Sequence, residues 1–171
     1  MPDGTAPIET VVDALDAAGV EYVLIDGAAM MLHGSSYVTQ DVDICYERSP
    51  ANVTTLVAAL APFDPRLRLE SGESVPFVWD ARTVLNGANF TLKTSVGDVD
   101  ILGSVTGLGS YEDVQAHAAR YTIGAREVPM LTIEGLIIAK RAAGRPKDQL
   151  VLPELEALRS LNPLGAERRE D

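Results

Sequence analysis

Two aspartates one residue apart, Asp41 and Asp43, open an apolar run that continues through Val42, Ile44 and Tyr46. Alternation puts both carboxylates on one face of a strand. Mg²⁺ takes a few carboxylates plus phosphate oxygens in an octahedral shell, so this pair can supply two ligands from one strand. A third carboxylate on a neighbouring strand completes such a set: Asp100, within Gly97-Asp98-Val99-Asp100-Ile101-Leu102, is the first candidate, and Asp98, nearer a turn, is the second. Upstream, Gly27 and Ala28 lead from the apolar segment Glu21–Ile25 into a short run of helix formers ended by His33-Gly34. A strand, a glycine turn and a helix in direct succession aim backbone N–H groups and a positive helix end at whatever lies above the turn, so Gly27 and Ala28 are candidate phosphate-binding residues.

Two further charged residues sit where helical spacing gives them direction. Ile133, Leu136, Ile137 and Lys140 share one face, so the lysine stem runs along the apolar side; its ammonium either holds a phosphate or snorkels to water. Asp148 leads the stripe of Val151, Leu155 and Leu158, where it can pair with Lys140 and orient it, or serve only as a helix N-terminal charge. Arg141, Arg145 and Lys147 form the basic cluster of an otherwise acidic chain, suited to a triphosphate or an acceptor and equally to solvent. His33 reads as a cap or packing group ahead of a base, Cys45 as a small packing residue, and Lys93 as part of a solvated strand face ahead of a group that reaches the cleft.

These residues need elements to place them. Ile8, Val11, Val12, Leu15 and Ala18 predict a helix over 7–18 closed by Gly19. Strands follow at 21–25 and from Asp41 to Tyr46, then a helix capped by Ser49 with Pro50 in its first turn. Residues 61–87 are punctuated by Pro62, Pro65, Gly72 and Pro76 and predict an irregular segment with one or two short strands. Phe90–Thr94 and Val99–Leu102 form a hairpin turning at 95–98, with Asp98 and Asp100 on one face. A loop over 103–109, a helix over 111–120, a short strand over 128–131, a Thr132-capped helix over 133–143 and a last helix after Pro146 complete the chain. Pro153 interrupts that helix or marks its start. The tail, Glu167 to Asp171, is charged and reads as frayed.

At 171 residues, 46% hydrophobic and 23% charged, the chain can bury a core as one compact unit, with a core over 1–131 and a helical extension over 132–171. No apolar run approaches the ~20 residues of a bilayer span, and the N-terminal residues lack the pattern of a secretory signal. One cysteine forms no internal disulfide, which fits the reducing cytoplasm. Net charge is −11, and residues 1–47 hold Asp3, Glu9, Asp13, Asp16, Glu21, Asp26, Asp41, Asp43 and Glu47 with no Lys or Arg. Duplex nucleic acid is repelled there, whereas a small anion held through a metal is not.

In combination these residues resemble the nucleotidyltransferases of the DNA polymerase beta superfamily. The family's small-residue turn corresponds to Gly27-Ala28, its acid-hydrophobic-acid triplet to Asp41-Val42-Asp43, and its third acid to Asp100. The finer pattern is similar to small bacterial members, including AbiEii-type toxins: His33-Gly34, Thr39-Gln40-Asp41-Val42-Asp43, Lys140, and Ala143-Gly144-Arg145-Pro146-Lys147-Asp148 occupy matching places. The resemblance implies an α/β (α+β) fold with a central mixed sheet, flanking helices and C-terminal helices closing the cleft. It implies transfer of a nucleoside monophosphate from a nucleoside triphosphate (NTP) to an acceptor, a small molecule, protein or tRNA, with release of pyrophosphate. By the same resemblance Asp41, Asp43 and Asp100 are catalytic and hold two Mg²⁺ ions, while Gly27, Ala28, Lys140 and Asp148 serve the nucleotide. Ala28 stands where relatives carry Gly or Ser, and Tyr37 where small bacterial members often carry Arg. Those departures favour an alternative: a weakened member that binds nucleotide or a partner protein, such as a cognate antitoxin in a toxin–antitoxin module. A DxD glycosyltransferase is disfavoured, because too little chain precedes Asp41 to build its nucleotide-binding unit.

Overall fold

A computed structural model describes residues 6–71 and 75–161. The expected break at Gly72 and the tail from Glu167 to Asp171 lie outside them. In chain order the elements are α1 (Ala6–Ala18), β1 (Tyr22–Ile25), α2 (Asp26–Leu32), β2 (Val42–Tyr46), α3 (Pro50–Leu60), a 3₁₀ turn (Ala61–Phe63), β3 (Arg66–Leu67), α4 (Ala81–Asn86), β4 (Phe90–Thr94), β5 (Gly97–Leu102), β6 (Ser104–Val105), β7 (Gly109–Ser110), α5 (Tyr111–Ala116), β8 (Ala118–Ile123), β9 (Arg126–Leu131), α6 (Ile133–Ala143) and α7 (Pro146–Leu161).

Seven strands form one mixed sheet in the order β3-β4-β5-β2-β1-β9-β8. The mixed α/β architecture is the one expected. β1 runs antiparallel to β2 and parallel to β9, while β2 runs parallel to β5. Residues directly opposite share a face, so the register writes out the two surfaces. One surface is a continuous apolar layer: Met130, Leu24, Ile44 and Ile101 form one row, Val42, Val99 and Leu92 another, and all are buried. The opposite surface carries the acids. Apolar residues of α1, α3, α6 and α7, including Leu15, Leu56, Leu136 and Leu155, join the same buried cluster as the strands.

Caps act where the sequence places them. Ser49 accepts from the Asn52 amide and Thr132 from the Gly135 amide, each leaving one fewer orphan donor at a helix start. Gly144, not among the expected caps, closes α6 in the left-handed conformation, with φ +63°. α7 runs through Pro153 without ending there.

Three expectations shift. The helix expected over 111–120 stops at Ala116, and the chain from Ala118 becomes β8, because it pairs along β9 in a hairpin whose partner begins at Arg126. α4 forms inside the segment read as irregular; Asp80 caps it by accepting from the Thr83 amide, and only Val84 of it is buried, so its apolar stripe is too short to register as periodicity. The loop expected over 103–109 contains the small β6–β7 pair. Among the described residues, no helix is long and apolar enough to cross a membrane.

Candidate active site

The tetrapeptide Asp-Val-Asp-Ile occurs twice, at 41–44 and at 98–101, and the fold lays the two copies side by side. Parallel pairing sets Val42 beside Val99, Asp43 beside Asp100 and Ile44 beside Ile101. Continued one residue back, the same register sets Asp41 beside Asp98. Asp41, Asp43, Asp98 and Asp100 therefore form a square of carboxylates on one sheet face, while the intervening valines point into the core, both about 1% exposed. The row through Asp43 extends across the sheet: Ile25 of β1 lies opposite Asp43, and Thr91 of β4 lies opposite Asp100. Arg68 continues β3 by donating its backbone N–H to the Thr91 carbonyl at 2.9 Å, so its guanidinium ends that row.

Burial, with like charges crowded beside it, governs the electrostatics. Burial, reinforced by Asp26, Asp100 and Asp41, pushes the Asp43 carboxyl up to about 8. Burial raises Asp41 as well, with Asp98 adding to the shift and Arg68 partly offsetting it. Arg68 sits 3.1 Å from Asp98 and 3.3 Å from Asp100. Burial opposes its charge, but Asp100 and Asp98 outweigh it, so Arg68 is held more firmly protonated than a free arginine. Reading the chain alone missed Arg68; it follows a two-residue edge strand in a stretch with no periodic signal.

The second cluster joins α2, α6 and α7. Lys140 donates to Asp26 at 2.5 Å and to Asp148 at 3.2 Å. The Lys140 side chain is 9% exposed and that of Asp148 is 0%. Asp148 also accepts from Arg145, at 2.7 Å from Nε and 3.1 Å from the backbone amide. Burial disfavours the charge on Lys140, yet Asp26 and Asp148 raise its affinity for a proton. Burial likewise opposes the Asp148 charge, but Arg145 and Lys140 hold that carboxyl below its usual range. The Lys140 ammonium is thus held inward between two carboxylates and does not snorkel to water.

Asp26 is the residue that sequence reasoning passed over here. Its φ is +56°, in the left-handed region where a side chain is strained. The sharp step from β1 into α2 therefore falls at Asp26 and not at Gly27. Gly27 matters for a different reason: a Cβ on it would lie 2.8 Å from Cε1 of Tyr37 and 3.1 Å from Cγ2 of Thr39. Tyr37 thus lies against the glycine, in a loop that Glu154 of α7 secures by accepting from the Ser36 amide at 2.6 Å and from the Ser35 hydroxyl. Gly27 and Ala28 are both buried at the start of α2.

Other candidates separate from the cluster. His33 donates through Nε2 to the Leu131 carbonyl at 2.7 Å and stands edge-on to Tyr121; burial lowers its proton affinity, as suits a packing role. Cys45 is buried, which pushes its thiol up to about 12. Lys93 is the exception, exposed but opposite Asp98 on the acid face; Arg141 pairs with Glu156 and Arg145 with Asp148, which leaves Lys147 as the member of the basic cluster without an ion pair among the described residues. A cavity of about 160 Å³ lies beside the Lys140–Asp26 pair, lined also by Ile25, Leu102, Val105 and Leu136. That is below the ~300 Å³ of drug-sized sites and suits a fragment the size of one ring system.

The acids suit a hard divalent cation by chemistry: all donors are carboxylate oxygens, and Asp100 Oδ1 is buried without a hydrogen-bond partner among the described residues. Among those residues no three His, Cys, Asp or Glu side chains already surround one point as metal ligands would. The pH dependence follows from Asp43. Its folded-state affinity for a proton is raised, so its favourable contribution is present below about pH 4 and is lost as pH rises towards 8. A cation replacing that proton restores the loss. Mg²⁺ is expected to raise the melting temperature more at about pH 8.5 than at about pH 6; equal shifts in thermal melts at the two pH values would contradict it.

No protein-family profile and no curated protein matches the sequence. Solved structures do match the fold. A Thermotoga maritima protein provisionally identified as a nucleotidyltransferase superposes with TM-score 0.59 at 15% identity, over 92% of this chain and 94% of that one. The lincosamide antibiotic adenylyltransferase LnuA, in a lincomycin-bound structure, gives TM-score 0.59 at 14% identity over 89% and 96%. An antigenic nucleotidyltransferase-like protein from Paracoccidioides brasiliensis gives 0.51 at 17% identity over 91% and 75%. The likeness is one of fold: the chain has the nucleotidyltransferase fold over nearly its whole length.

Proposed function

We propose that this nucleotidyltransferase fold is an active Mg²⁺-dependent enzyme, moving a nucleoside monophosphate from an NTP to an acceptor hydroxyl. The observation that carries the reading is the placement of Asp43 beside Asp100, with Asp41 two residues away on the same face and Lys140 reaching Asp26 next to them. In the reaction the acceptor oxygen bonds to the α-phosphorus, the bond from that phosphorus to the β-bridging oxygen breaks, and pyrophosphate leaves. Bound Mg²⁺ would supply charge neutralisation at the phosphates. Asp41 and Asp43 would hold it, and Asp100 would take the proton from the acceptor hydroxyl. Asp148 aims Lys140 from behind, and the triphosphate competes with Asp26 for its ammonium. The first amides of α2, at Gly27 and Ala28, have no partners within the helix and serve the same phosphates. The ring-sized cavity beside Lys140 takes the nucleobase.

Two measurements test this. Calorimetry with ATP, GTP, CTP and UTP in Mg²⁺ is expected to show binding of at least one, and α-labelled nucleotide is expected to pass to an acceptor with release of pyrophosphate. Label recovered with small molecules, protein or RNA identifies the acceptor class; LnuA is a precedent in this fold for a small antibiotic. Absence of binding for all four nucleotides defeats the reading. A second reading has its own support: Lys140 is already engaged by Asp26, so the fold could serve as a nucleotide- or partner-binding module. Binding without transfer to any acceptor would favour it.

A further inference from the structure

We propose that Arg68 is a resident cation standing in for a second metal ion, so that the carboxylate square binds one divalent cation, at Asp41 and Asp43, and not two. The proposal rests on the nucleotidyl-transfer reading above and concerns how its site is charged.

The two copies of Asp-Val-Asp-Ile are equivalent in sequence but not in partners. Arg68 bridges Asp98 and Asp100, at 3.1 and 3.3 Å. Among the described residues no cation forms an ion pair with Asp41 or Asp43. The asymmetry comes from the sheet: β5 lies between β2 and β4, and the edge strand β3, on the far side of β4, brings Arg68 to the side of β5 away from β2. The arginine is held there by its backbone hydrogen bond to Thr91. Its side chain and those of Asp98 and Asp100 are about two-thirds to three-quarters buried, at 34%, 33% and 25% exposure. A metal ion at Asp98 and Asp100 would have to expel the guanidinium from both carboxylates and leave it partly buried without a counter-ion, which is costly. A cation at Asp41 and Asp43 displaces no arginine. Asp100 is held on the arginine side, since Nη2 of Arg68 lies 3.3 Å from its Oδ1, so that cation rests on Asp41 and Asp43.

The test counts metal. Equilibrium dialysis with Mn²⁺ and a saturating non-hydrolysable NTP analogue gives Mn²⁺ bound per bound nucleotide. One is expected for the wild type, two for Arg68→Ala, and one for Arg68→Lys, which keeps the charge. Two ions on the wild type overturn the proposal without need of any variant, and so does a count that stays at one in a folded Arg68→Ala. If the analogue does not bind at all, the nucleotidyl-transfer reading itself fails. Nucleotide bound with two Mn²⁺ leaves that reading standing and removes only the role of Arg68.

Discussion

Replacing Asp41 and Asp43 together by alanine is expected to abolish transfer of labelled nucleotide while the protein stays folded. The activity loss follows from charge: a metal held by these two residues contributes several kcal/mol to the transition state, so its removal lowers the rate by roughly a thousandfold or more. The fold should survive because neither side chain belongs to the core. Asp41 and Asp43 stand on the acid face, and Val42, between them, carries the packing. Near pH 8 the double variant is expected to be at least as stable as the wild type, since it removes like charges that already disfavour ionisation of Asp43. Thermal melts with circular dichroism separate this from unfolding. Undiminished transfer by the folded double variant would remove both aspartates from the mechanism.

The second large effect concerns Lys140. Lys140→Met removes one of two cations that satisfy the fully buried Asp148 side chain. Breaking a buried ion pair costs 3–5 kcal/mol when a charge is stranded, and Arg145 remains here, so roughly 2–3 kcal/mol is expected. For a chain of this size that lowers the melting temperature by roughly 4–12 °C. Asp26→Gly acts on the other end of the same chain of charges with the opposite outcome. Asp26 is 40% exposed, so its pair with Lys140 is partly screened, and glycine relieves the strain of a left-handed φ. The stability of Asp26→Gly is expected to equal or exceed that of the wild type. It also frees Lys140, so NTP affinity measured by calorimetry should rise. A loss of affinity in Asp26→Gly would mean that Asp26 helps to bind the nucleotide and does not compete with it.

Much of this was legible in the chain because it is local. Period-2 alternation in Val42–Tyr46 and Val99–Ile101 placed the aspartates on strand faces, and the Thr132 cap marked where α6 starts. Helical spacing turned Lys140 inward and set Asp148 at the head of a stripe. Segments governed by pairing partners were less legible. Residues 118–120 became strand only because β9 lies beside them, and Arg68 follows a strand of two residues.

By itself, then, the sequence determined which residues carry charge towards a common face and in what order they arrive, because strand and helix periods act over a few neighbours. What only the tertiary structure decided is who stands next to whom. Lateral register made one square of the two Asp-Val-Asp-Ile copies and brought Arg68 to one side of it, and the packing of α6 on α2 brought Asp26 to Lys140. Those neighbours are set by strand order and helix packing between residues 32 to 114 positions apart, a distance over which no local pattern in the chain carries information.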